Sequence, residues 1–374
     1  MKEKIIFDYE SAKKRFRAHF EEFKRQFSDV AIESIPIDEN DNLFIDIIRI
    51  FKDKPKTLIF TIGEHGVEGI FGSFIMEVFI QEILPMLNLE DTSIILVHPI
   101  NPFGMKHLER TNKNNVDLNR NFLNSWDNIF KNTAYLSLRD VFEKSGSVEN
   151  LVVERIKYYK DVLKILIQGK TKLVKNALLI GQYESPNGLY YGGKDYEKET
   201  LLMIKLFENA FKISKQVVHI DIHTGYGPKD TMSVVNSHLF VEDSKTFEKE
   251  INYSPVVKSE NSEFYSMSGD MIDYLYTLRN EKFRDTKLYS ASFEFGILGD
   301  SILNEIEALF RAIINNRLRF YGSKNDKIKQ YVKKLYLEAF CPTSEESVKK
   351  MYSQFKRAIL GILKKEGLIS NKNL

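Results

Sequence analysis

Among 374 residues there is one cysteine, Cys341. That excludes an intrachain disulfide framework and any cysteine-rich metal centre, and it fits a reducing compartment. A transition metal would have to be held by histidines and carboxylates. Charge of one sign is also missing. Lys and Arg number 54 against 52 Asp and Glu, a formal net charge of +2. Nucleic-acid binders concentrate surplus cations on one face, and here there is no surplus to concentrate. Long apolar runs are absent too. Segments such as 45–51 and 93–97 are far too short to span a bilayer, and residues 1–22 lack the apolar core of a secretory signal. There is no repeat, no low-complexity tract and no Gly/Ser linker. These absences lead to the expectation of a cytoplasmic protein with no nucleic-acid and no membrane partner. They leave the oligomeric state open.

What is present is ample material for a large core, with hydrophobic residues at 43% and aromatics at 12%. Residues 11–27 place apolar side chains at helical spacing between charges and predict an amphipathic helix. Strands are predicted at 31–37, 43–51, 57–62 and 92–100. The runs TLIFTI and TSIILVHPI are apolar without alternation, as expected of strands buried on both faces. A helix is expected from Ile70 to Leu84. Two more strands are expected at 215–225 and 289–297. The fold class that follows is α/β: a mixed, mostly parallel twisted sheet flanked by helices. One domain is expected over 1–374, with a helical excursion at about 125–180 and a helical C-terminal region at about 301–374, broken around 340–343.

Four places carry chemistry. The first is His65-Gly-Val-Glu68, an imidazole and a carboxylate three residues apart directly after a buried strand. The glycines at 63, 66 and 69 let the backbone turn sharply there. This is a compact two-ligand clip for zinc, or else a glycine-rich turn with incidental polar residues. The second is His219-Ile-Asp221-Ile-His223-Thr-Gly225. Its flanking Val and Ile favour a strand, on which four residues span roughly 13 Å, so both histidines cannot ligate one ion from it. His223, beside the glycine, is the better ligand. His219 reads as a buried neighbour, and Asp221 shares the face of His223. The third is the polar stretch from Arg110 to Phe122, including Asp117, Asn119 and Arg120. Its arginines suit a carboxylate or a developing oxyanion, though turn-forming surface residues would look similar. The fourth is Glu294 inside SFEFG. A carboxylate within an apolar strand needs a partner, either a salt bridge or a role as general base beside a metal.

Taken in order, GEHGVEGIFGS, NVDLNRNF, GQYESPNGLYYGG, HIDIHTG and SFEFG resemble the zinc carboxypeptidase (M14-like) superfamily. The resemblance is greatest to its DUF2817 branch, with a relation to succinylglutamate desuccinylase and aspartoacylase, and it covers nearly the whole chain. It implies a zinc carboxypeptidase-like, phosphorylase/hydrolase-like fold and one Zn2+ per chain. His65, Glu68 and His223 would be the metal ligands, with water left at the fourth position. Glu294 would be the catalytic base, with Glu64 and Glu184 the acids to test should it fail. Arg110 would steady the oxyanion, Asn119 and Arg120 would grip a substrate carboxylate, and Asp117 would hold the ring of His65. The expected activity is hydrolysis of an amide bond next to a free carboxylate. The substrate would be a small peptide or an N-acyl amino acid, the first reading being a metallocarboxypeptidase. A non-catalytic metal-binding module of the same fold is the remaining alternative. The Arg110-to-Asn119 interval is shorter than in digestive carboxypeptidases and closer to that of aspartoacylase-like deacylases. No single residue stands out as a substrate-capping tyrosine; Tyr190, Tyr191 and Tyr265 are candidates.

Overall fold

The computed structural model describes residues 5–127, 129–259 and 269–369. In chain order the strands are β1 (Val30–Asp38), β2 (Leu43–Ile50), β3 (Lys56–Ile62), β4 (Thr92–His98), β5 (Gln216–Thr224), β6 (Met232–Asn236), β7 (Val256–Lys258) and β8 (Lys287–Phe295). The helices of the first half are α1 (Tyr9–Gln26), α2 (Gly69–Val78), α3 (Pro102–His107), α4 (Thr133–Ser137), α5 (Arg139–Phe142), α6 (Leu151–Ile167) and α7 (Thr171–Leu179). Then follow α8 (Lys198–Ile213), α9 (Ser244–Ile251), α10 (Met271–Lys282), α11 (Ile302–Tyr321), α12 (Asp326–Leu337) and α13 (Glu345–Lys365).

The strands form one eight-stranded sheet in the order β1-β2-β4-β3-β5-β8-β6-β7. Its centre is parallel: β4 with β3, β3 with β5, and β5 with β8. Antiparallel pairs join β1 to β2, β2 to β4 and β6 to β8. The sheet is therefore mixed and mostly parallel at its core, the α/β class expected. Burial on both faces explains why β3, β4 and β5 read as unbroken apolar runs. On one face Leu58, Phe60, Ile220, Ile222, Phe293 and Phe295 pack under α1, α2, α9 and α13. On the other, Ile59, Val97, Val217 and Leu288 pack with residues of α8 and α10. The candidate site lies on this second face, at the C-terminal ends of β3, β5 and β8, where ligands of open α/β sheets bind.

Local differences from expectation have local causes. The helix beginning at α2 ends as α-helix at Val78, then widens into a π turn over Phe79–Ile83 and tightens into a 3-10 turn over Leu84–Met86. Pro85 in that turn has no N–H to give and cannot continue an α-helix. Strands β6 and β7 were not expected. They are five and three residues long, too short to show a period.

Candidate metal centre and active site

The chain leaves β3 at Ile62 and turns at Gly63, whose φ of 70° is open to glycine at no steric cost. The turn that follows is tied down on both sides. Gly66 N–H donates to Arg110 O at 3.1 Å and Val67 N–H to Glu109 O at 2.8 Å. A Cβ on Gly66 would sit 2.2 Å from the backbone of Gly104, so only glycine allows this approach. The His65 turn is thereby fastened to the stretch carrying Arg110 and Asp117.

His65, Glu68 and His223 come together and are buried. His65 Nδ1 lies 2.9 Å from Glu68 Oε1, His223 Nδ1 lies 3.2 Å from Glu68 Oε2, and the two Nδ1 atoms are 3.2 Å apart. Thr224 N–H donates to Glu68 Oε2 at 2.8 Å and orients the carboxylate. Burial works to raise the pKa of Glu68, but the imidazoles of His65 and His223 outweigh it and hold the carboxylate well below its usual range. Burial works to lower that of His223, and Asp221, 2.6 Å from its Nε2, and Glu68 push it well above its ordinary value instead. His65 Nε2 has two suitors: Asp117 Oδ1 at 3.2 Å and Arg110 Nη2 at 2.6 Å. A guanidinium can only donate, so Nε2 accepts from Arg110 here and Asp117 Oδ1 has no hydrogen-bond partner among the described residues. A cation at Nδ1 would move the hydrogen to Nε2, with Asp117 as the neighbouring acceptor.

Glu64 adjoins the same cluster. It is fully buried, its Oε2 is 3.4 Å from His223 Nε2, and neither of its oxygens has a hydrogen-bond partner among the described residues. Burial first, then the charge of Asp221, pushes its pKa well above the usual range. Glu64, His65 and His223 can each bring one donor atom within 4.8 Å of the others. Both Glu64 and Glu68 thus compete to complete a set with the two imidazoles. Glu68 is the closer to both Nδ1 atoms. This donor set, nitrogen and carboxylate oxygen without sulfur, fits zinc. Four buried carboxylates, Glu64, Glu68, Asp117 and Asp221, surround the two imidazoles with Arg110 beside them, an excess of acid that a further cation would offset.

Glu294 sits beside this cluster because β5 and β8 pair in parallel, with His223 opposite Glu294 and Asp221 opposite Ser292. Its Oε1 accepts from Tyr226 N–H at 2.9 Å. Burial, then the charge of Glu68, pushes its pKa up to about 8. Asp117 accepts from Arg110 Nε at 2.8 Å, and Arg110 lies over the ring of Tyr190 at 5.3 Å. Asp117 is itself held well below the carboxylate range: burial opposes this, and Arg110 and His65 overcome it. Asn119 and Arg120 lie on the short turn after Asp117. Asn119 Oδ1 accepts from Met271 N–H at 3.0 Å, which orients its side-chain amide, and Arg120 Nη1 donates to Asn119 O at 2.6 Å. The charge of Arg120 reaches both Asp117 and Tyr190.

His219 makes no approach to the cluster. It is buried between Thr61 Oγ1 at 3.0 Å and Ser290 Oγ at 2.9 Å, and Thr61 donates in turn to Asp221 Oδ1 at 2.5 Å. Of the three tyrosines, Tyr190 faces Arg110, Tyr191 is packed into the core under α8 and α10, and Tyr265 lies outside the described residues. Glu184 is exposed on a loop, its carboxylate accepting from Tyr183 N–H at 3.1 Å. Two residues with no sequence signal also border the site. Phe340 O accepts from Thr224 Oγ1 at 2.7 Å, and buried Tyr336 lies within reach of the charges of Arg110 and Glu68. Both come from the C-terminal region, more than a hundred residues beyond β5, and helical periodicity cannot reveal such a contact.

The family model described as "Protein of unknown function (DUF2817)" matches residues 6–354. No curated protein matches the chain in sequence. Among solved structures, bovine thrombin-activatable fibrinolysis inhibitor, in complex with tick carboxypeptidase inhibitor, is 14% identical with a TM-score of 0.45, over 92% of this chain and 96% of that one. Carboxypeptidase A from Helicoverpa armigera is 13% identical with a TM-score of 0.42, over 92% and 73%. Succinylglutamate desuccinylase/aspartoacylase from Rhodobacter sphaeroides is 12% identical with a TM-score of 0.36, over 79% and 65%. Likeness at this level leaves the chemistry to be argued from the residues of this chain.

Proposed function

The chain belongs to the DUF2817 family, and from that premise and the geometry of its buried cluster we propose that it is a zinc-dependent hydrolase. It cleaves an amide bond adjacent to a free carboxylate, most directly at the C-terminus of a small peptide. The observation that carries the reading is the convergence of His65 Nδ1, His223 Nδ1 and the Glu68 carboxylate within 3.2 Å of one another, with Glu294 across the strand register from His223. His65, Glu68 and His223 would hold one zinc ion. When bound, zinc supplies a Lewis acid that polarises a carbonyl and makes water acidic enough to attack at neutral pH.

The other roles belong to the chain itself. Glu294 takes the proton of the attacking water and passes it to the leaving amine. Its raised pKa matches a group that must both accept and release a proton near neutrality. Arg110, oriented by Asp117, offers its guanidinium to the oxygen that gains charge. Arg120, with Asn119, binds the free carboxylate of the substrate. Tyr190 lies over Arg110, and Phe340 meets Thr224 beside Glu68. An N-acyl amino acid is the second reading, since the same metal ligands, base and arginines would serve it.

The test is zinc content per chain together with turnover on a panel of peptides and N-acyl amino acids, each with a free and an amidated carboxylate. About one zinc per chain and cleavage restricted to free carboxylates are expected. A protein that takes up no zinc, or cleaves amidated substrates equally well, overturns the reading.

A further inference from the structure

The outward face of α6 carries apolar side chains that no element among the described residues covers. Seven of its residues are large, apolar and between 42% and 77% exposed. Val152, Ile156, Tyr159, Leu163 and Leu166 recur in alternating steps of four and three, which lines them up in one row along a helix. The opposite face is committed to the protein. Tyr158 stacks near Phe310, with ring centroids 5.3 Å apart, and donates to Ile306 O at 2.8 Å, while Arg155 pairs with Glu307 at 2.6 Å. Glu154 meets Arg317, while Arg155 meets Glu307 and Tyr158 meets Ile306, so α6 crosses α11 rather than lying along it.

One flank of the row is basic. Lys157, Lys160 and Lys164 follow one another along it, beside a groove of about 370 Å³ that Lys144 and Arg317 also line. Its only acids are Glu154 and Asp161, and each is shared between two cations. Asp161 lies 2.8 Å from Lys144 and 3.8 Å from Lys164, and Glu154 pairs with Arg317 and with Lys157 at 3.4 Å. Five cations against two carboxylates leave the groove positive.

We infer that α6 lays this face on an anionic membrane surface, its apolar row in the acyl boundary and its lysines among the phosphate headgroups. An apolar row flanked by lysines is how interfacial helices bind, with the lysine stems lying along the apolar region and their ammonium groups in the polar layer. A second copy of the chain fits less well. An antiparallel pair of α6 helices would set lysine row against lysine row, and a parallel pair would set it against a flank holding Arg155. The acid on that flank, Glu307, is already shared between Arg155 and Arg311, so neither arrangement brings an uncommitted acid to the lysines. The expectation of no membrane partner rested on the shortness of the apolar runs, which tests for spanning alone. No helix among the described residues is long and apolar enough to span, but one lying in the surface needs only a face.

The experiment is cosedimentation of the whole chain with vesicles of mixed phosphatidylglycerol and phosphatidylcholine, and with phosphatidylcholine alone. Binding to the anionic vesicles only is expected, weakening as salt rises. Ile156→Ser with Leu163→Ser should weaken it on the order of tenfold or more. Lys157→Gln, Lys160→Gln and Lys164→Gln together should weaken it on the order of a hundredfold, since each lysine at an anionic surface contributes roughly fivefold. These positions are exposed, so thermal melts of the variants should match wild type. Three results would overturn the inference: wild type that binds neither vesicle or both equally; variants that bind as wild type does; and a wild-type dimer that the serine variant splits, which would assign the face to a second copy. Retention by polyglutamate without vesicle binding would overturn it as well, in favour of an acidic protein partner.

Discussion

Replacing Glu294 by Gln separates catalysis from metal binding and from folding, and each has its own readout. The substitution keeps the shape of the side chain and an oxygen to accept the 2.9 Å bond from Tyr226 N–H, while removing the proton acceptor. Loss of a general base typically costs on the order of 10²–10⁴ in rate, so kcat should fall by that much with KM little changed. Zinc content should stay at wild type, because His65, Glu68 and His223 are untouched. Stability should change with a definite sign. Burial and Glu68 raise the folded-state pKa of Glu294 from 4.5 to about 8. The folded, metal-free chain therefore favours the protonated form, and the carboxylate costs stability progressively as pH rises from 4.5 to 8. That cost amounts to at most about 5 kcal/mol. Glutamine removes it. Metal-free Glu294→Gln should match wild type in thermal melts below pH 4.5 and melt higher above pH 8. Turnover within a few-fold of wild type would refute the assignment and move the base to Glu64. Loss of zinc would make Glu294 a ligand.

The remaining predictions need less development. His65→Ala, His223→Ala and Glu68→Gln should each strip zinc, while Glu64→Gln should retain it; metal analysis after desalting decides, and zinc retained in Glu68→Gln but lost in Glu64→Gln would reverse the choice between the two carboxylates. Arg120→Ala should slow cleavage of substrates with a free carboxylate by about 10²-fold, and Arg120→Lys should restore only part because ammonium lacks the guanidinium fork. A mutant as fast as wild type on these substrates would remove Arg120 from binding. Glu199 on α8 is pushed by burial up to about 7 from 4.5, so its contribution to stability is full below pH 4.5 and lost as pH rises through 7. Glu199→Gln should raise the melting temperature at pH 8, by at most about 3 kcal/mol of stability, and leave it unchanged at pH 4; a lower melting temperature at pH 8 would contradict this.

The parts of this fold legible in the sequence are those whose signal is local. The strands β3, β4 and β5 announce themselves because a central parallel strand has no wet face, so every residue from Leu58 to Ile62 is selected for the core. The helix α1 shows its period because one side packs Phe16 and Phe23 while the other stays in water. His223 and Glu294 could be picked out as polar residues within apolar strands, and His65 and Glu68 as an imidazole and a carboxylate three residues apart in the turn that follows one. What could not be read is which neighbour each meets. Glu64 looks like one more charge in a glycine-rich turn until β5 is set beside β3 and puts His223 3.4 Å away. Tyr336 and Phe340 look like ordinary residues of an amphipathic C-terminal region. Their place over the site depends on a contact with Thr224 that spans 116 residues. The exposed row on α6 is hidden in the sequence for another reason: the same spacing marks a helix that buries its apolar side.

The pairing of β5 with β8 makes the sheet the ruler of the candidate site. His223 and Glu294 are 71 residues apart in sequence, and only hydrogen-bond alignment between two strands sets one beside the other. Side chains alternate along a strand, so a slip by one residue would turn Phe293 and Phe295 out of the core and be rejected. A slip by two preserves every inward and outward assignment. It would still carry the Glu294 carboxylate roughly 7 Å along the strand, when misplacement by about 1 Å can already cost two orders of magnitude in rate. The packing that makes this chain fold thus guards the parity of the strand but not its position. On the proposed assignment, a preparation could hold well-folded molecules with His65, Glu68 and His223 in place for metal yet with Glu294 out of reach of it. Counting active sites against total protein, rather than measuring solubility or melting, is what would tell such molecules from competent ones.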